Sequence, residues 1–417
     1  MDKRKLHILF GFRSVPYPLR AHGLSVRYFP IIEYLSKRHE VDLLMINSDE
    51  NELGNLEGIR QYCRKVSILP DSRGNHHSIF TRLTTYATFL LPWTPPLSVV
   101  VHNGSEVTRG ISETMKGEQY DAMVWVGGDL LPHLMDALPS MSVKKVFVDF
   151  IDSPFLWATR REDKIFRISL LDRYERWKTR RWEGGVIRKS DGAIYISRVD
   201  ADAVPSGKEA RGKRFVVPNG ISIPSGISTE RVSFPSPNIG FLGNMGYLPN
   251  VEAVEQLHKE IFVPLRKIHP ELTLVVIGRN PSPSIRALGE KPGVIVTGKV
   301  EDIWGYINAI DLFLFPLLRG AGLKNKILEA MYAGRPVLTT NIGNEGIDAV
   351  DGRDLVICST PDDFRREASR LQGSPRERER IGTSAQSFVR KNFSWDGIFR
   401  NYEGLLLGPS PGVDGKR

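Results

Sequence analysis

Between Phe315 and Val337 the chain reads Pro316-Leu-Leu-Arg-Gly-Ala-Gly-Leu-Lys-Asn-Lys-Ile-Leu-Glu-Ala-Met-Tyr-Ala-Gly-Arg-Pro-Val337, with glycines, cations and one carboxylate at short spacing. Gly320 and Gly322 let backbone approach a ligand without side chains, and a helix starting behind them offers free N–H groups and the positive end of its dipole. That combination is an anion cradle. Arg319, Lys324 and Lys326 add cationic donors suited to a diphosphate. Glu329, one turn into the helix, has the acceptors a ribose hydroxyl needs. The same Lys324, Lys326 and Glu329 also suit a surface pair network worth tenths of a kcal/mol. Spacing alone leaves both readings open.

A second run, Gly243-Asn-Met-Gly-Tyr-Leu-Pro-Asn-Val-Glu-Ala-Val254, opens on a glycine turn and starts a helix near Pro249, again a phosphate-compatible geometry.

These loops need a frame to hold them, and the flanking pattern supplies it. Short β-branched runs alternate with helix-length stretches, the signature of parallel strands with crossover helices. In the first half, strands are expected at Lys5–Gly11, Val41–Asn47, Val66–Leu69, Met123–Val126, Val146–Asp149, Ala193–Ser197 and Phe215–Val217. Residues 218–237 are rich in Pro, Gly and Ser and lack a period, which reads as a linker. The pattern restarts with Ile239–Leu242, Leu274–Ile277, Val294–Thr297, Leu312–Phe315, Pro336–Thr340 and Leu355–Cys358. The expected fold is α/β: a Rossmann-like domain over 1–217 and a second over 238–393. A final stretch, 394–417, forms an apolar-striped helix packing back towards the first domain, followed by a loose tail. In open sheets of this kind ligands bind beyond the carboxyl ends of the strands, where both runs lie.

A chain of 417 residues suits two such domains. Only Cys63 and Cys358 are present, too few for a disulfide framework or a cysteine-based zinc site, which indicates a reducing compartment and a cytoplasmic location. The amino terminus has too short an apolar run for a signal peptide. The most apolar stretch, Ile79 to Trp93, carries Arg82 and is interrupted at Pro92, short of the roughly 20 residues a span needs. Residues 160–189 hold eleven Lys/Arg against five Asp/Glu, with Phe166, Trp177 and Trp182 interleaved. This stretch is read either as a solvated, salt-bridged helix or as a surface facing an acceptor or an anionic membrane.

The segment Asn325-Lys-Ile-Leu-Glu-Ala-Met-Tyr-Ala-Gly-Arg-Pro-Val-Leu-Thr-Thr340 resembles the donor-site signature of retaining glycosyltransferases of family 4. Gly343-Asn-Glu-Gly-Ile347, Val217-Pro-Asn-Gly-Ile221 and the run from Gly243 to Asn250 are similar to further elements of its polysaccharide-associated branch. The resemblance covers nearly the whole chain and implies a GT-B fold, with two Rossmann-like domains facing a central cleft. It implies a UDP- or GDP-sugar donor held by Gly243, Asn244, Arg319, Gly320, Gly322, Lys324, Asn325, Lys326 and Glu329. It also implies transfer to a hydroxyl of a glycan, lipid-linked precursor or small molecule. Catalytic candidates are Lys326, Glu329 and Asp152. His22, Gly23, Asp129 and Asp149 fall on the acceptor side, although Asp149 and Asp152 also suit capping of a turn and helix.

The chain departs from the family at Ala321, where relatives carry the first Glu of a Glu-seven residues-Glu motif. The basic residue many relatives place just after the first strand of the second domain is missing from Gly243–Tyr247, so Arg319, Lys324 or Lys326 must supply that charge. No metal motif is present, and neither metal nor cofactor is expected. Competing readings are a nucleotide-sugar epimerase of GT-B type and an inactive glycan- or nucleotide-binding scaffold. A dinucleotide oxidoreductase lacks its glycine fingerprint after the first strand. Nucleic-acid binding has only the basic stretch behind it, so no nucleic-acid partner is expected.

Overall fold

Parallel strands covered on both faces read as continuous apolar runs, and the computed structural model arranges such runs into two sheets. It describes residues 5–19, 23–46, 54–70, 89–99, 104–128, 131–160, 169–205, 212–221, 232–320 and 322–408. The chain divides into one unit comprising residues 1–218 with 398–417, and a second comprising 219–397.

Among the described residues, the first unit is built on seven parallel strands: β1 (His7–Phe12), β2 (Glu40–Ile46), β3 (Lys65–Leu69), β5 (Ala122–Val126), β7 (Val146–Ile151), β8 (Gly192–Tyr195) and β9 (Arg214–Val216). Their order is β3-β2-β1-β5-β7-β8-β9. Every residue of β5 and β8 is buried, which places the core on both faces of the sheet. Two dipeptides, β4 (Gln119–Tyr120) and β6 (Ser142–Val143), pair separately. The helix Trp395–Leu407 is tied to this unit by its apolar stripe and by Glu403, whose carboxylate meets His39 at 3.1 Å and accepts from Tyr34 at 3.2 Å.

The second unit carries β10 (Asn238–Leu242), β11 (Thr273–Ile277), β12 (Val294–Val296), β13 (Leu312–Phe315), β14 (Val337–Thr339) and β15 (Val356–Ile357), all parallel, in the order β12-β11-β10-β13-β14-β15. The order reverses between β10 and β13, so connections leave the sheet in opposite directions there and open a crevice at the strands' carboxyl ends. Both glycine-bearing runs begin at that point. Among the described residues, no helix is long and apolar enough to cross a membrane.

Candidate functional site

The loop after β10 is held by backbone. Gly243 N donates to Ile277 O at 3.0 Å and Met245 N to Arg279 O at 2.8 Å, which locks the loop onto the end of β11. Asn244 Oδ1 accepts from Gly246 N at 3.1 Å, a local turn that asparagine favours. Opposite Gly243 lies Gly278, at φ +151°, where an added Cβ would stand 1.7 Å from Gly243 O. Gly278→Ala is therefore expected to push the loop off its seat and to destabilise the second unit by at least about 1–3 kcal/mol for the backbone conformation alone. An unchanged thermal melt would sink this account of the loop.

The loop after β13 approaches from the other side. Gly320 and Gly322 both take positive φ, 145° and 69°, conformations that side chains resist. The helix Asn325–Tyr332 follows, with Ile327, Leu328, Ala330 and Met331 buried and Lys324 at its N-cap position making no side-chain cap bond. The first turn of that helix faces a cavity of about 290 Å³, lined by Gly243, Asn244, Tyr247, Pro249, Asn250, Leu317, Arg319, Gly320, Leu323, Lys324, Asn325 and Lys326. Seven of the nine residues read from the sequence as donor-binding thus share one cavity wall. Glu329 lies one turn deeper, half-buried, and with Gly322 is outside the described lining.

The cations are individually constrained. Arg319 grips Glu252 with a two-pronged ion pair, its Nε donating to Oε2 at 2.8 Å, so much of its charge is already balanced. Lys324 is buried and donates to Gly322 O, which holds the glycine loop from within. Lys326 donates to Asn250 Oδ1 and lies 5.1 Å from the centre of the Phe241 ring. Burial, and then repulsion from Lys324, lowers its ammonium from the usual lysine range to about 7. A second charge moving in with the opposite sign would reverse that shift. Lys326 therefore reaches across to the helix Leu248–Gln256 that follows the β10 loop, a contact the surface-pair reading does not contain.

Asn250 ends the Gly243–Asn250 run but was given no site role from the sequence, yet its side chain ties the site together: Nδ2 donates to Asn244 O at 2.9 Å while Oδ1 accepts from Lys326. Its signal was present, as a polar residue one turn into a helix whose neighbours Val251, Ala253 and Val254 are buried. Asn219, in the Val217–Ile221 element and likewise given no site role from the sequence, donates to Asn325 Oδ1 at 3.3 Å and steadies the helix entrance.

The first-unit candidates divide differently. His22 and Asp129 lie outside the described residues, as does Ala321. Gly23 opens the helix Gly23–Ser36, where a Cβ would meet nothing within 4 Å among the described residues. Asp152 stands half-buried just beyond β7. Asp149 requires a correction: it is fully enclosed and accepts from Arg27 Nη2 at 2.9 Å, from Tyr402 and from Ile151 N. A carboxylate with no exposure and those partners cannot receive an acceptor hydroxyl; it holds the turn that carries Asp152.

Among the described residues, the grouping that could hold a metal is His7, Asp42 and Glu118, in the first unit. Arg64 bonds both carboxylates there and Lys65 bonds Glu118, so the cluster is already neutralised by cations.

Residues 236–373 match the family model described as Glycosyl transferases group 1, a span that contains the whole cavity lining. Over most of the chain it is similar to an uncharacterized 44.6 kDa protein in the cps region of Klebsiella pneumoniae, 20% identical over 393 residues, covering 92% of this chain and 95% of that one. A glycosyltransferase of Methanocaldococcus jannaschii, itself uncharacterized, is 27% identical over 120 residues, 27% of this chain and 30% of the relative. Among solved structures, Anabaena HepE in complex with UDP superposes with a TM-score of 0.63 at 15% identity, covering 96% and 99% of the two chains. Sucrose-phosphate synthase from Thermosynechococcus elongatus does so at 0.68 and 12%, covering 96% and 98%. At such identities the likeness establishes the fold, two Rossmann-like domains of GT-B type. With the family match over the second unit, it supports a glycosyltransferase of that fold.

Proposed function

We propose that the protein is a retaining, family 4-like glycosyltransferase of glycan assembly, which holds a UDP- or GDP-sugar by its diphosphate in the cavity between β10 and β13. The reading is carried by one observation: Lys326, bonded to Asn250 from the helix after the β10 loop, lines the cavity beside Lys324 at the strand-order reversal. As the sugar leaves, negative charge builds on the diphosphate, and a cation already fixed in a shielded site stabilises it without reorganising. The acceptor hydroxyl's proton passes to the departing phosphate. Glu329 is assigned to the ribose hydroxyls and Asp152 to the acceptor side, where the acceptor is a glycan, a lipid-linked precursor or a small molecule.

A thermal-shift series with UDP-, GDP- and dTDP-sugars tests the donor assignment: one nucleotide is expected to raise the melting temperature, and Glu329→Ala to reduce that rise. If no nucleotide shifts the wild type, the assignment fails.

The lowered ammonium adds a pH signature. The free ammonium loses its proton around pH 7, whereas a bound diphosphate favours the charged form, so binding takes up a proton at and above neutrality. Affinity is expected to fall as pH rises past 7, by up to about tenfold per unit for one linked proton. Calorimetry in two buffers of different ionisation enthalpy reads the uptake directly, and Lys326→Arg should abolish it. Equal heats in both buffers for the wild type would remove Lys326 from the phosphate site.

A further inference from the structure

We infer that the first unit carries a docking surface for an anionic phospholipid bilayer, formed by segment 89–99 and the outer face of the helix Ser169–Lys189. Five large apolar side chains stand out from these two elements: Leu90 is 60% exposed, Leu91 38%, Trp93 75%, Leu170 69% and Trp177 44%.

The backbone beneath them is pinned. Lys178, itself buried, donates to Phe89 O at 2.7 Å, Leu91 O at 3.0 Å and Thr94 Oγ1 at 2.8 Å. Tyr174 donates to Leu90 O at 2.9 Å, and Leu97 N donates to Glu175 Oε2 at 3.0 Å. A segment tied down by one buried ammonium, a phenol and a carboxylate holds its apolar side chains outward by construction. Ordinary surfaces scatter such residues singly; a contiguous group on a fixed backbone marks a contact face.

Charge decides the occupant. All three acids of the helix, Asp172, Glu175 and Glu183, are buried, whereas Arg173, Arg180, Arg181, Arg188 and Lys189 are exposed. The helix therefore shows water five cations and no carboxylate. Leu170, Arg173, Trp177 and Arg180 recur at helical spacing along one stripe, and Arg181 lies 5.7 Å from the centre of the Trp177 ring. Apolar side chains that enter the acyl boundary, flanked by guanidiniums at headgroup depth, fit an anionic bilayer surface. Aliphatic Leu90, Leu91 and Leu170 have no counterpart in nucleic acid. With no described helix able to span, this surface lies on the bilayer.

The full-length chain, incubated with phosphatidylcholine vesicles with and without phosphatidylglycerol, is expected to sediment only with the anionic vesicles, and less so as salt rises. Each basic residue near such a surface contributes about fivefold to partitioning. Arg180→Glu with Arg181→Glu is thus expected to lower it at least about tenfold, and Trp93→Ala with Trp177→Ala comparably. Because these side chains are exposed, the variants should melt like the wild type and keep any nucleotide-induced shift, which separates this surface from the donor site. Absence of vesicle binding by the wild type, or equal binding by the variants, overturns the inference. So does concentration-dependent self-association abolished by Trp93→Ala without vesicle binding, which would assign the patch to a second copy.

Discussion

Lys326→Ala is expected to lower kcat/KM for sugar transfer by about 10²–10³, the range seen when a single preorganised donor to developing negative charge is removed. Lys324 is engaged with Gly322 O, and Arg319 is matched by Glu252, so neither replaces the missing ammonium without breaking its own bond. Because the charge it faces grows in the transition state, kcat should fall along with kcat/KM. The unliganded protein should respond in the opposite sense. The folded state depresses the Lys326 ammonium to about 7, below the unfolded value near 10.4. Carrying that charge therefore opposes folding fully below 7, and the opposition fades as pH rises towards 10. Lys326→Met should leave the apo melting temperature unchanged or raised while erasing the nucleotide-induced shift. A variant that transfers normally, or that simply unfolds, would contradict the role given to this side chain.

Breaking the Arg27–Asp149 pair is expected to cost about 3–5 kcal/mol, because removing one partner strands the other charge in the core. Both side chains are essentially unexposed. Arg27 also donates to Val217 O at 2.8 Å, joining the end of the first unit's chain to its first helix. Burial opposes the guanidinium's charge, but Asp149, Tyr28 and Tyr402 together outweigh burial and raise its affinity for the proton above the ordinary value. Asp149 Oδ1 accepts from the backbone of Ile151, which sits at φ +67°, an unusual conformation for a β-branched residue. Arg27→Ala and Asp149→Ala should each shift the urea midpoint sharply. Arg27→Met with Asp149→Leu should fall closer to wild type than either single change, since neither charge is then left alone. If the single variants unfold like the wild type, the pair does not hold the core.

How much of this was legible beforehand follows from the range of the forces involved. All thirteen described strands of the two large sheets stood out as apolar runs, because a strand covered on both faces needs nearly every side chain to be apolar. The dipeptides β4 and β6 did not, since Gln119 and Ser142 leave neither of them an apolar run. The glycine loops were legible because positive φ at Gly320 and Gly322 is a demand on the residue itself. The basic helix was legible as a charge excess, but not which of its charges faced water. Only the fold sent Asp172, Glu175 and Glu183 inward.

Residue types and spacing by themselves determined the two-sheet α/β architecture and the loops able to meet an anion, because strand burial, helix starts and glycine turns are local properties. The tertiary structure alone decided that Asn250 bridges to Lys326 across 76 positions of chain, that Glu252 balances Arg319, and that Asp149 is a core ion partner. Hydrogen-bond partners, burial and the ammonium shift of Lys326 depend on groups distant in sequence, which only the folded chain brings within a few ångströms.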